Sequence, residues 1–130
     1  MGNIKIKKIR NNTILDMYYD YVHKEGFCSF RVFARWLTKQ PAPRFYIDFE
    51  TARRYVSLIL RNKCSKSRKI YYDLAERLRA RTGSGTRVDY TPLFDIIEEP
   101  APSFYLNVES IVGILYREMR SRLKVKKLLC

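Results

Sequence analysis

Arg53, Ser57 and Arg61 stand four residues apart, with Arg54 beside the first, so on a helix they share one strip of surface. A guanidinium is planar, permanently charged and able to give two parallel hydrogen bonds, which suits it to phosphate oxygens and to the edge of guanine. The strip runs on into Arg61-Asn62-Lys63-Cys64-Ser65-Lys66-Ser67-Arg68-Lys69, where five cations meet no acid. Arg44, just ahead of the helix, and Arg117 and Arg120 near the other end of the chain complete the candidate set. Their chemistry is the holding of a polyanion, not bond making. His23 is the single histidine, and Cys28, Cys64 and Cys130 form no close pair and no metal-ligand spacing. The glycine-rich stretch Thr82–Thr86 lacks the lysine and the preceding strand of a phosphate loop. The ten tyrosines have no accompanying Arg/His set of the kind that activates a tyrosine nucleophile. The sequence therefore points to a non-enzyme, with no cofactor, no metal and no small-molecule substrate.

The elements that would position these residues come from a repeat. Pro41-Ala42-Pro43-Arg44-Phe45-Tyr46 returns 59 residues later as Pro100-Ala101-Pro102-Ser103-Phe104-Tyr105, and seven of 21 positions from Pro41 to Arg61 match Pro100 to Arg120. A repeat sets the unit that has to be explained. In the first copy, Asn12 or Thr13 caps a helix with Ile14, Leu15, Tyr18, Tyr19 and Val22 inward, stopped by Gly26. Ser29 caps a second helix with Phe30, Phe33, Ala34 and Leu37 inward, ended before Pro41 and Pro43. Asp48 caps a third, with Glu50 in its first turn and Phe49, Ala52, Val56, Ile59 and Leu60 inward. In the second copy the first helix spans about Ile70 to Arg81, with Ile70, Leu74, Ala75 and Leu78 inward. Thr91-Pro92 opens a short second helix carrying Leu93, Phe94, Ile96 and Ile97, and Asn107 caps a third with Val108, Ile111, Leu115 and Met119 inward. The expected fold is all-α: two tandem three-helix modules related by internal duplication, at residues 12–62 and 70–123. A basic arm (1–11), a basic linker (63–69) and a basic tail (124–130) surround them.

Composition agrees with a folded binding protein. The chain has 130 residues, 46% of them hydrophobic and 14% aromatic, enough for a core. The 26 Lys+Arg against 13 Asp+Glu leave a net charge of +13, a field that concentrates polyanions. No stretch approaches the roughly 20 apolar residues of a membrane span, no apolar run follows the charged first ten residues as in a secretory signal, and membrane binding is not expected. The cysteine usage suits a reducing compartment, the cytoplasm, with a nucleoid association expected if the chain is bacterial or phage-encoded.

The two trihelical copies, each with a capped third helix that is strongly basic in the first, resemble the helix-turn-helix class in its tandem trihelical form, similar to homeodomain-like and Myb-like repeats. The PAP-[RS]-F-Y segment ahead of Glu50-Thr51-Ala52-Arg53-Arg54 also resembles small proteins of bacterial phages and mobile elements. That resemblance implies a DNA-binding regulator or accessory factor acting on duplex DNA. The segment Pro41 to Ile47 is longer than the usual three- or four-residue turn, so groove insertion is an analogy. Where the first copy has Arg53, Arg54 and Ser57, the second has Val112, Gly113 and Tyr116, so the second copy either adds phosphate contacts through Arg117 and Arg120 or offers this trio to the first copy, a second subunit or a protein partner. Two alternatives remain open: a single-stranded nucleic-acid or RNA binder that stacks bases on tyrosines, and a phage structural or assembly protein with a basic protein–protein surface. Arg44 is either an arm on phosphate or, more plainly, part of a stiff approach anchored by Phe45 and Tyr46.

Overall fold

A computed structural model describes residues 2–62, 68–83 and 87–129. The chain is all-helical among these residues, with α1 (Gly2–Glu25), α2 (Phe30–Leu37), α3 (Phe49–Leu60), α4 (Lys69–Thr82), α5 (Leu93–Ile96) and α6 (Val108–Leu129). Local signals set most of the boundaries. Gly26 ends α1 at a φ of 91°, where a side chain would be strained, and its N–H donates to the Val22 carbonyl at 2.8 Å. Ser29 Oγ accepts from Val32 N–H at 3.2 Å, Asp48 Oδ2 from Thr51 N–H at 3.1 Å, and Asn107 Oδ1 from Ser110 N–H at 2.7 Å. Each cap satisfies a donor that the first helical turn leaves without a partner.

Three boundaries depart from expectation. The residues expected to form a basic arm are helical from Gly2 on, because nothing between Gly2 and Glu25 breaks α1. Thr13 is therefore not a cap, and its Oγ1 donates to the Ile9 carbonyl one turn back at 2.9 Å. Nor is there a separate tail, since α6 continues to Leu129. Thr91 does not cap α5 with its side chain; instead Asp89 Oδ1 accepts from Thr91 N–H at 3.0 Å, and the chain turns into α5 from there.

The helices group crosswise. One compact unit holds α1, α2 and α6 (residues 3–40 and 106–130); the other is Pro41–Tyr105 and holds α3, α4 and α5. Each unit has three helices, but the third helix of each sequence repeat lies with the first two of the other. The boundaries 12–62 and 70–123 are thus not those of the compact units. The pattern allows this because α3 and α6 present matching inward positions, Ala52 and Val56 in one and Ile111 and Leu115 in the other, all buried. In the first unit the core is completed by Ile14, Leu15, Tyr18, Phe33, Ala34 and Leu37; in the second, by Ile70, Leu74, Ala75, Leu78, Leu93 and Ile96. Each large apolar side chain among them contributes roughly 1.5–3 kcal/mol on leaving water. Tyr19, expected inside, is exposed, and so is Phe94 of α5.

Within the second unit the two copies of the hexapeptide pair with each other. Ala42 N–H donates to the Ala101 carbonyl and Ala101 N–H to the Ala42 carbonyl, both at 2.9 Å, in an isolated antiparallel bridge. The prolines on either side have no N–H, so the pairing stops at one residue pair. Beyond it the rings stack reciprocally, Phe45 on Tyr105 with centroids 6.1 Å apart and Tyr46 on Phe104 at 5.7 Å. The one divergent position is used locally in each copy. Arg44 Nε donates to the Phe45 carbonyl at 3.1 Å, whereas Ser103 Oγ accepts from Tyr105 N–H at 3.0 Å. Tyr105 takes a left-handed φ of 58°, and its hydroxyl donates to Asp73 Oδ2 at 2.7 Å, which anchors the turn.

Candidate nucleic-acid interface

The outer strip of α3 is as basic as the spacing predicts, but its members differ in freedom. Ala52 and Val56 face the core, which turns Arg53, Arg54 and Arg61 to solvent and leaves Ser57 half-buried. Arg53 is spent in part on Glu50, with Nη2 3.1 Å from Oε2 one turn earlier. Arg61, at the C-cap, folds back so that Nε donates to the Ser57 carbonyl at 3.3 Å. Arg54 lies with its guanidinium carbon 5.2 Å from the Tyr55 ring centroid. Tyr55 in turn stacks on Tyr71 of α4, centroids 4.4 Å apart and planes within 17°.

That stack joins the two ends of the basic run. Burial pushes the Tyr71 hydroxyl above its ordinary range, against the pull of Arg68, which bonds it, and of Arg54. Arg54 from α3 and Arg68 at the N-cap of α4 therefore bear on one aromatic pair, and Lys69 begins α4 on the solvent side. Among the described residues, Arg54, Arg61, Arg68 and Lys69 make no ion pair with a carboxylate. Lys63 and Lys66, also expected here, lie outside the described residues. The sequence pattern names the cations; it does not reveal the tyrosine stack that holds two of them, although Tyr55 and Tyr71 both follow basic residues closely.

Other expected contacts are placed differently. Arg44 is half-buried, donating to its neighbour's carbonyl with its guanidinium 5.7 Å from the Tyr46 ring, a structural use. Arg117 and Arg120 are exposed on α6 and so belong to the other unit; Arg117 Nη1 lies along its own helix, 3.6 Å from where a Cβ on Gly113 would stand. Of the trio expected to meet a partner, Val112 and Gly113 are half-buried and only Tyr116 is exposed, with its ring edge-on to Phe30 at 4.8 Å. Arg31 meets Glu109 in a two-pronged surface pair between α2 and α6, at 2.5 and 3.2 Å, and that contact lowers the Glu109 carboxyl below its usual range. The helix α3 packs on α4 and α5 within the second unit, whereas α2 packs on α6 within the first.

Among the described residues no cluster of three His, Cys, Asp or Glu side chains is placed to hold a metal ion, and no helix is long and apolar enough to cross a membrane. No protein family, curated protein or solved structure matches the chain.

Proposed function

We propose that the protein binds duplex DNA without catalysing a reaction on it, as a regulator or accessory factor. Its two three-helix units read as a duplicated, helix-turn-helix-like ancestor that has exchanged third helices. Arg54, Arg61, Arg68 and Lys69 would contact phosphates, with Arg53 and Ser57 beside them and Lys63 and Lys66 extending the run. The observation that supports this most directly is the convergence of Arg54 and Arg68 on the Tyr55–Tyr71 stack with no acid partner. Guanidinium groups held in place and left unneutralised lose little freedom when a phosphate arrives.

The disposition of aromatic rings favours a duplex over a single strand. Phe45, Tyr46, Phe49, Tyr55, Tyr71, Phe94, Phe104 and Tyr105 stack on one another in pairs, which covers one face of each, and Phe45, Tyr71 and Phe104 are buried besides. The test is a titration of mixed-sequence duplex over a salt series, with wild type and Arg54→Gln/Arg61→Gln. Binding should weaken steeply with salt, and the log–log slope should fall by about 0.9 for each phosphate the variant no longer neutralises. Absence of duplex binding at low salt would sink the proposal.

A further inference from the structure

The charge is not shared evenly between the units. Residues 3–40 and 106–130 hold fourteen Lys+Arg against five Asp+Glu, a net +9, whereas Pro41–Tyr105 holds twelve against eight, a net +4. In the first of these, no acid occurs between Gly2 and Leu15, and none from Met119 to Cys130. The fold brings these two acid-free stretches to the same end. Arg122 of α6 pairs with Asp16 of α1, Nη2 to Oδ1 at 2.9 Å, and its guanidinium lies 5.8 Å from the Tyr19 ring. Met119 and Tyr18 line one groove, so residue numbers fall along α1 as they rise along α6, and the helices run antiparallel. At about 1.5 Å per residue, Lys124 lies roughly 3 Å past Arg122 and Lys8 roughly 12 Å past Asp16, in the same direction.

Lys5, Lys7, Lys8, Arg120 and Lys124 are all exposed. Asp16, the first acid after this stretch of α1, is already paired with Arg122. The first turn of α1 has no acid, so its lysines also face the positive end of their own helix dipole. Such a concentration of like charge costs stability unless an anion covers it.

We infer that the joined ends of α1 and α6 form a second, sequence-independent phosphate-binding surface that seats the backbone of duplex DNA. This rests on the reading that the ligand is DNA, but on different residues in a different unit. Folded helices, not flexible arms, present the charge, so the cations are fixed in spacing. Lys5→Gln/Lys7→Gln/Lys8→Gln/Lys124→Gln in the full chain, with far-UV circular dichroism matched to wild type, should lower the salt slope on any duplex sequence by about 0.9 per phosphate released. Duplex should also raise the melting temperature of wild type more than that of this variant at low salt. If Arg54→Gln/Arg61→Gln lowers the slope and the lysine variant does not, the second surface is refuted while the α3 reading stands. If only the lysine variant does, the reverse holds. Binding of wild type to vesicles of phosphatidylserine and phosphatidylcholine, with none to duplex, would overturn both.

Discussion

Phe45→Ala is the most incisive test of the paired hexapeptides. Phe45 is 0% exposed, its ring stacks on Tyr105, the Arg77 guanidinium lies 4.8 Å from its centroid, and its N–H donates to the Ile97 carbonyl at 2.9 Å. Truncation leaves the backbone bond intact and removes the ring, at a cost of about 3–5 kcal/mol for a fully buried Phe. Roughly 0.5–1.5 kcal/mol of that belongs to the ring pair. A unit of this size has a total stability of about 3–10 kcal/mol, so the loss takes most of it. Phe94→Ala is the control. Its ring also stacks, on Phe49 with centroids 3.8 Å apart, but it is 53% exposed, and about 1 kcal/mol is expected. In urea unfolding followed by far-UV circular dichroism, with m about 1 kcal/mol/M, the Phe45 variant should lose about 3 M in midpoint and the Phe94 variant about 1 M. Equal shifts, or a Phe45 shift below about 1 M, would show that the hexapeptide pairing does not hold the unit together.

Two further outcomes follow from titrating groups. Burial first, then the hydrogen bond to Asp73, holds the Tyr105 hydroxyl well above its ordinary range. The unfolded hydroxyl ionises near pH 10 while the folded one stays protonated, so stability is intact below about pH 10 and falls above it by at most about 1.4 kcal/mol per pH unit. Tyr105→Phe should flatten that alkaline slope in chemical unfolding from about pH 9 to 11, and an unchanged slope would place its origin elsewhere. At Asp48, burial raises the carboxyl, but the bonds from Thr51 outweigh it and leave the group below its usual range. Its stabilisation is thus present above about pH 4 and lost as pH falls further. Asp48→Ala should cost about 1 kcal/mol at neutral pH and progressively less as pH falls through the acid range, measured by the same unfolding.

Much of the fold was legible where the signal is local. Ser29, Asp48 and Asn107 each act on a donor three residues on, and Gly26 acts on its own φ, so a short window contains the whole cause. Thr13 misled because a hydroxyl that can cap a helix can equally bond back to a carbonyl inside one. The crosswise grouping was not legible for a different reason. The inward faces of α3 and α6 are near equivalents, so periodicity says that each needs a pair of helices to cover it without saying which pair. The prolines likewise announced extended chain at Ala42 and Ala101, but their bonding partner lay 59 residues away. At the candidate site the cations could be named from composition and spacing, whereas their availability depends on which carboxylates fold against them, as Glu50 does against Arg53.

The crosswise arrangement also sets an order of events during synthesis. Pro41–Tyr105 is one unbroken stretch, so α3, α4 and α5 leave the ribosome in succession and can close on each other at once. The helices α1 and α2 emerge before them but must wait for α6, which begins nearly eighty residues after α2 does, an interval of about 4–16 s at common elongation rates. Throughout it Phe33, Ala34 and Leu37 have no α6 to cover them. A neighbouring nascent chain that has already finished its own α6 could fill that gap, so high expression should favour dimers in which the last helix has been traded.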